Sequence, residues 1–232
     1  CHFSTLGQNI TARETEGTID DCQARGKTAF MDKELNAHMQ LTSANSINVA
    51  RFLPQAFYYF YAYAQLAKMG KADNLVFCVP SGNFGNITAG LFGMRMGLPV
   101  KRFIAANNRN DVFLQYLQTG IYTPRPSVTT IANAMDVGDP SNFARILDLY
   151  GNSHEAVCEK ISGCMYTDEE IAETVKSTFT ETGYLLDPHG ACAYQALKDG
   201  LSSNEVGVFL ETAHPAKFKE TVEKIIDTEV FV

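Results

Sequence analysis

Short continuous apolar runs alternate with stretches of helical periodicity along most of this chain. "NLVFCVP" (74–80) shows no polar alternation, which predicts a central strand of a parallel sheet, "PVKRFIAA" (99–106) predicts the next strand, and "EVGVFLET" (205–212) a buried one. Between them "ITAGLFGMRMG" reads as a helix ending at Gly97, followed by helices in "RNDVFLQYLQTG" and, from Asp139, "DPSNFARILDLYG". In "TDEEIAETVKSTFTETG", Thr167 and Glu170 form a capping box, Ile171, Val175 and Phe179 share one face, and Gly183 stands as the C-cap glycine. "DPHGACAYQALKDG" predicts a shorter helix, and "HPAKFKETVEKIID" a last one with Phe218, Val222 and Ile225 on one side.

Toward the N-terminus the pattern is weaker. "NITARET" (9–15) alternates enough to suggest a strand, and 18–35 suggests one helix with an acidic cap region. Residues 46–70 predict a long helix broken or kinked at Pro54. Its aromatic stretch "FYYFYAY" makes it apolar on most of its circumference, so it is expected to be buried in the core. Strands alternating with helices imply an α/β fold: a parallel sheet with flanking helices, whose carboxyl-end loops line a crevice. If the strands at 74–80 and 205–212 are parallel in one sheet, the loops "PSGNFGN" and "ETAHPAK" emerge at the same edge.

Composition narrows the chemistry. The 232 residues carry 26 acidic and 19 basic side chains, for a net charge of −7, and no dense Lys/Arg cluster. Nucleic acid and membrane surfaces are therefore poor partners, and a small-molecule substrate is the better expectation. Six cysteines without a C-x-x-C pair suggest free thiols in a reducing, cytoplasmic setting, with no metal site. No apolar run approaches the roughly 20 residues of a membrane span, and the start "CHFSTLGQNI" is not a signal peptide. A first residue that is Cys, not Met, suggests a piece of a longer protein. The oligomeric state is left open.

The loop "SGNFGN" runs from a strand into a helix N-terminus, where unpaired N–H groups and the helix dipole favour an anion. Gly82 and Gly85 permit backbone conformations and a close approach that side chains would block. A nucleotide P-loop needs a lysine and a spacing that this loop lacks, and a dinucleotide fingerprint needs a carboxylate after the next strand, which instead ends "FIAANN". A plain tight strand-to-helix turn is the competing reading.

Four segments, "SANSINVARFLPQAFYYFYAYAQL", "VPSGNFGNITAGLFGMRMGLPVKRFIAANNRND", "NAMDVGDPSNFARI" and "FLETAHPAKFKETVE", in that order along the chain, resemble the threonine synthase family, with "PSGNFGN" and "TAHPAKF" the most specific. The resemblance implies the large domain of a fold-type-II enzyme that uses pyridoxal 5'-phosphate, related to the tryptophan synthase β-subunit. It implies that Gly82, Asn83, Phe84, Gly85 and Asn86 contact the cofactor phosphate and that the Thr212 hydroxyl faces the pyridine nitrogen. Ser46, Asn48 and Arg51 are the candidates for holding a phosphorylated amino acid, Arg51 because a guanidinium suits phosphate oxygens. Competing readings make Ser43 or Ser46 a helix cap and pair Arg51 with a surface carboxylate. His189 and His214 read as caps or packing residues and are not assigned catalysis.

The implied reaction is a lyase step of threonine biosynthesis, converting O-phospho-L-homoserine and water to L-threonine and phosphate. The family's Schiff-base lysine lies in a Phe-Lys-Asp motif that does not occur here, and neither does a loop resembling Ser-Gly-Asp-Thr-Gly. No residue of this chain is therefore assigned as catalytic. Residues 1–44 would be a remnant of the smaller domain and 45–232 the larger, phosphate-binding domain, and the chain alone is expected to be inactive. The alternatives are another lyase or deaminase of this fold acting on serine or threonine, and a non-catalytic truncated module.

Overall fold

The computed structural model describes residues 7–11 and 15–230, and the chain divides into two compact units, Cys1–Leu41 and Thr42–Val232. In the first, α1 (Ile19–Met31) is capped by Thr18 in a capping box with Asp21, and α2 (Lys33–His38) follows it. Asp32 explains why one expected helix becomes two. Its extended backbone ends α1, and its carboxylate accepts the Leu35 N–H at 3.0 Å to start α2. The strand expected at 9–15 does not form in residues 9–11 or at Thr15, and Ala12–Glu14 lie outside the described residues. Its alternation is weak, and among the described residues of this unit there is no second strand to pair with it.

The second unit runs α3 (Val49–Phe52), a 3₁₀ turn (Leu53–Gln55), α4 (Ala56–Lys68), β1 (Leu75–Pro80), α5 (Gly85–Arg95), β2 (Arg102–Asn107), α6 (Val112–Thr119), a 3₁₀ turn (Asn133–Met135), α7 (Phe143–Leu149), α8 (His154–Lys160), β3 (Ile161–Met165), α9 (Asp168–Thr182), α10 (Pro188–Gly200), β4 (Val206–Phe209), a 3₁₀ turn (Pro215–Phe218) and α11 (Lys219–Ile226). The strands form one sheet in the order β3-β2-β1-β4, parallel throughout, with Cys78 opposite both Ile104 and Phe209. The two loops singled out by composition therefore leave neighbouring strands at the same edge.

Strand pleating sorts the core into two layers. Leu75, Phe77, Val79, Phe103 and Ala105 face the side carrying α4–α8, while Val76, Cys78, Ile104 and Ala106 face Ile171, Val175, Cys192 and Ala193 of α9 and α10. All six residues of β1 are buried, as a strand with neighbours on both sides requires. β4 is only half-buried along its length, contrary to the expected buried strand, because among the described residues it has a partner on one side alone. β3 and α8 have no counterpart in the sequence reading: "ISGCM" contains Ser162 and Gly163 where β-branched residues would advertise a strand.

Pro54 sits in the 3₁₀ turn between α3 and α4, so the long predicted helix is interrupted where proline removes an N–H. The expectation that this helix is buried fails for most of it. Of α4 only Ala56 and Tyr59 are buried, while Phe57, Tyr58 and Tyr61 are 66%, 45% and 68% exposed. A helix in a single layer over a sheet can cover only one of its faces. Tyr59 fills that face, its ring 4.9 Å from Phe77 and 6.0 Å from Phe103, and Gly90 of α5 makes the room, since a Cβ there would lie 2.7 Å from the Tyr59 ring.

Candidate functional site

The loop after β1 is shaped by contacts on both sides. A Cβ on Gly82 would lie 2.7 Å from Met135 Cα, and one on Gly85 would lie 2.7 Å from the Ser46 Cβ. Both glycines are needed for close approach, and neither has a positive φ. The left-handed residue is Phe84 (φ 61°), which precedes α5. Its ring is buried 4.6 Å from that of Phe113, and this packing holds a conformation that a bulky residue rarely adopts.

Among the described residues, no acceptor meets the backbone N–H of Gly82, Asn83, Phe84, Gly85 or Asn86. The side chains of Asn83 and Asn86, in contrast, are engaged within the protein. Asn83 donates to Ser46 Oγ at 2.8 Å and accepts the Ser141 N–H at 2.7 Å. Asn86 donates to the Pro80 carbonyl at 2.8 Å and accepts from the Ile87 N–H at 2.9 Å, while its own carbonyl accepts from Tyr59 Oη at 2.7 Å. Five backbone donors at the start of an eleven-residue helix form a donor set suited to a phosphate dianion.

This loop lines a cavity of about 610 Å³ together with Ser46, Gln55, Tyr58, the turn at Ala134–Met135, His189 and the end of β4 from Phe209 to Thr212. That volume lies within the range of small-molecule and cofactor sites. Of the residues expected from sequence, Gly82–Asn86, Thr212 and Ser46 meet at this one cavity. Asn48 and Arg51 do not line it. Asn48 caps α3, accepting the Ala50 N–H at 3.0 Å, and the exposed Arg51 donates from Nε to the Ala44 carbonyl at 2.9 Å.

Ser46 is a junction. Its hydroxyl accepts from Asn83 and, at 3.3 Å, from Asn142 Nδ2, and it donates to Asn45 Oδ1 at 3.2 Å. Arg145 clamps the same segment, donating to the Ser46 carbonyl at 2.9 Å and the Ile47 carbonyl at 2.5 Å, with Asn142 Oδ1 as a third partner. Asn142 and Arg145 look like ordinary polar residues of a loop and a helix, and nothing in "NAMDVGDPSNFARI" signals these contacts to a segment about 100 residues earlier.

At the far side of the cavity His189, expected as a cap or packing residue, is buried at the start of α10. Its Nδ1 lies 2.5 Å from Asp187 Oδ1, and its Nε2 accepts the Ala134 N–H at 3.1 Å. With Nε2 accepting, Nδ1 is the nitrogen left to donate to Asp187. Glu211 lies next to Thr212, and its carboxyl rests over Gly190 and accepts the Asp187 N–H at 3.2 Å. Burial, reinforced by the hydrogen bond and like charge of Asp187, pushes Glu211 up to about 8. Burial also opposes ionisation of Asp187, but its hydrogen bonds with His189 and Glu211 outweigh this and hold it below the ordinary value. Glu211 is exposed as a residue, as a glutamate at a strand end is expected to be, and nothing in the sequence signals its contact with the buried Asp187.

The family model for pyridoxal-phosphate dependent enzymes matches residues 4–211. Over 228 residues the chain is 49% identical to a threonine synthase of Haemophilus influenzae, covering 98% of this chain and 53% of that protein. The crystal structure of threonine synthase from Escherichia coli superposes with a TM-score of 0.91 at 45% identity, covering 99% of this chain and 53% of that one. A pyridoxal-phosphate-bound threonine synthase from Brucella melitensis gives a TM-score of 0.81 at 35% identity, covering 94% and 52%. The chain thus spans about half the length of the relatives it matches.

Proposed function

The chain belongs to the pyridoxal-phosphate dependent enzyme family, and from that premise we propose that it forms part of a threonine synthase, converting O-phospho-L-homoserine and water to L-threonine and phosphate. The observation that carries the reading is the set of free N–H groups at Gly82–Asn86, opening into the same cavity as Thr212. We assign those five residues to the cofactor phosphate, through backbone donors and not the Asn83 and Asn86 side chains, which are already engaged. Bound there, the cofactor supplies an electron sink for carbanion chemistry on an amino acid.

Thr212 takes the position toward the pyridine nitrogen, where a hydroxyl does not hold that nitrogen protonated as a carboxylate would. Ser46, Asn48 and Arg51 are assigned to the phosphorylated substrate, with Ser46 the one of the three that lines the cavity. The 232 residues alone hold the phosphate end of the site and do not turn over. The pattern of free thiols supports a cytoplasmic protein.

Two measurements test this. Equilibrium dialysis of the chain against pyridoxal phosphate and against pyridoxal separates a phosphate site from a ring site, and equal uptake of the two removes the assignment of Gly82–Asn86. The complete reading frame, given O-phospho-L-homoserine, should release phosphate with threonine; ammonia release from serine or threonine instead would replace the proposed reaction by a deaminase one.

A further inference from the structure

We propose that Glu211 is a positioning residue: it keeps a proton, donates it to the buried Oδ2 of Asp187, and through Asp187 and His189 holds the Ala134–Met135 turn against the glycine loop. Asp187 Oδ2 is an orphaned buried acceptor. Asp187 is fully buried, and its Oδ1 accepts from both the His189 N–H at 2.8 Å and His189 Nδ1 at 2.5 Å. Its Oδ2 is buried with no partner among the described residues unless the facing Glu211 brings a proton. Asp187 is buried and the Glu211 carboxyl lies against it although Glu211 as a residue is exposed, so the two adjoining carboxyls share a proton because ionising both beside the buried Oδ2 is costly.

The remaining links are geometric. The Glu211 carboxyl lies over Gly190, in space that a side chain at that position would take, and accepts the Asp187 N–H at 3.2 Å. His189 Nε2 takes the Ala134 N–H at 3.1 Å, and the Ala134 carbonyl and Met135 Cα lie 3.0 and 2.7 Å from where a Gly82 Cβ would be. The brace therefore joins the end of β4 to the loop after β1 across the cavity. The ionisable groups facing the carboxyl pair are His189 from α10 and the Tyr184 phenol from the α9–α10 connection, itself raised by burial and by both carboxylates. Phe218 covers the His189 ring at 4.7 Å. Among the described residues no lysine or arginine pairs with either carboxyl.

The folded carboxyl of Glu211 titrates at about 8, against an ordinary 4.5. Its protonation is thus retained on folding, and the stability associated with it is full below about pH 4.5 and lost as the pH rises toward 8. Urea unfolding of the chain and of Glu211→Gln across this range reads the effect. The unfolding constant of the wild type should climb relative to the variant by up to about tenfold per pH unit, the linkage of one proton, and then level off above pH 8. In the wild type alone, hydrogen-exchange protection of the Ala134 amide should fall once Glu211 ionises. Parallel pH profiles, or Ala134 protection that follows the same course in both proteins, would overturn the proposal.

If Glu211→Gln does not fold, infrared spectroscopy of the wild type with ¹³C-labelled glutamate decides. A shifted carboxylic-acid band near neutral pH that disappears above pH 8 supports the brace, and its absence near neutrality sinks it.

Discussion

Gly82 abuts Met135: its missing side chain leaves room for the Met135 Cα and the Ala134 carbonyl, which would stand 2.7 and 3.0 Å from a Cβ. Both are backbone atoms and cannot swing aside. Gly82→Ala should therefore destabilise the chain by about 1–3 kcal/mol through overpacking, read as a lower denaturant midpoint. Gly26→Ala is the matching control. Gly26 lies within α1 with nothing within 4 Å of a Cβ, so the change should be neutral or stabilise by up to about 1 kcal/mol through helix propensity.

Phe84 sets two effects against each other. Replacing it by glycine relieves a left-handed backbone (φ 61°), a gain of about 1–2 kcal/mol. The same change removes a fully buried ring packed at a tilt against Phe113, a loss of about 3–5 kcal/mol. Packing wins, so Phe84→Gly should lower stability by roughly 1–4 kcal/mol, and an unchanged or raised unfolding midpoint would refute the ranking.

Arg145 tests whether the Ser46 segment is held from outside the cavity. Arg145→Lys keeps the charge but cannot span the Ser46 and Ile47 carbonyls and Asn142 Oδ1 together. Hydrogen exchange at residues 45–48 should accelerate in the variant, with the sheet unaffected. Asn142→Ala should loosen the same segment, because it also removes donors to Ser46 Oγ and, at 2.9 Å, to the Asn83 carbonyl.

These contacts mark where sequence reasoning stops. β1, β2 and β4 were legible because apolar runs declare strands, and α9 because Thr167, Glu170 and Gly183 sit at the cap positions that its start and end require. The meeting of the glycine loop with Thr212 followed once β1 and β4 were parallel neighbours. The Asn83–Ser46–Asn142 network was hidden, since its members lie 37 and 59 residues apart and each looks like an ordinary polar loop residue. The exposure of Phe57 and Tyr61 was equally hidden: hydrophobicity says that a face can be buried, while burial depends on what packs over it.

Glu205 and Glu211 flank β4 and should answer pH in opposite directions. Glu205 has an almost fully buried side chain and pairs with Arg102 at 2.6 Å and Lys101 at 3.0 Å. The Arg102 hydrogen bond holds its carboxyl well below the usual range. Its stabilisation is thus present above the ordinary value of 4.5 and is lost as the pH falls below it, whereas that of Glu211 is lost on the alkaline side. Glu205→Gln should cost about 1.5–3 kcal/mol at neutral pH, the range for hydrogen bonds to charged groups. The lower end is expected, because Arg102 keeps the Gly200 carbonyl at 2.6 Å and Ser162 Oγ at 3.2 Å as partners. Urea titrations of the two glutamine variants should therefore diverge: the deficit of Glu205→Gln shrinks toward acid, while Glu211→Gln gains on the wild type toward alkali.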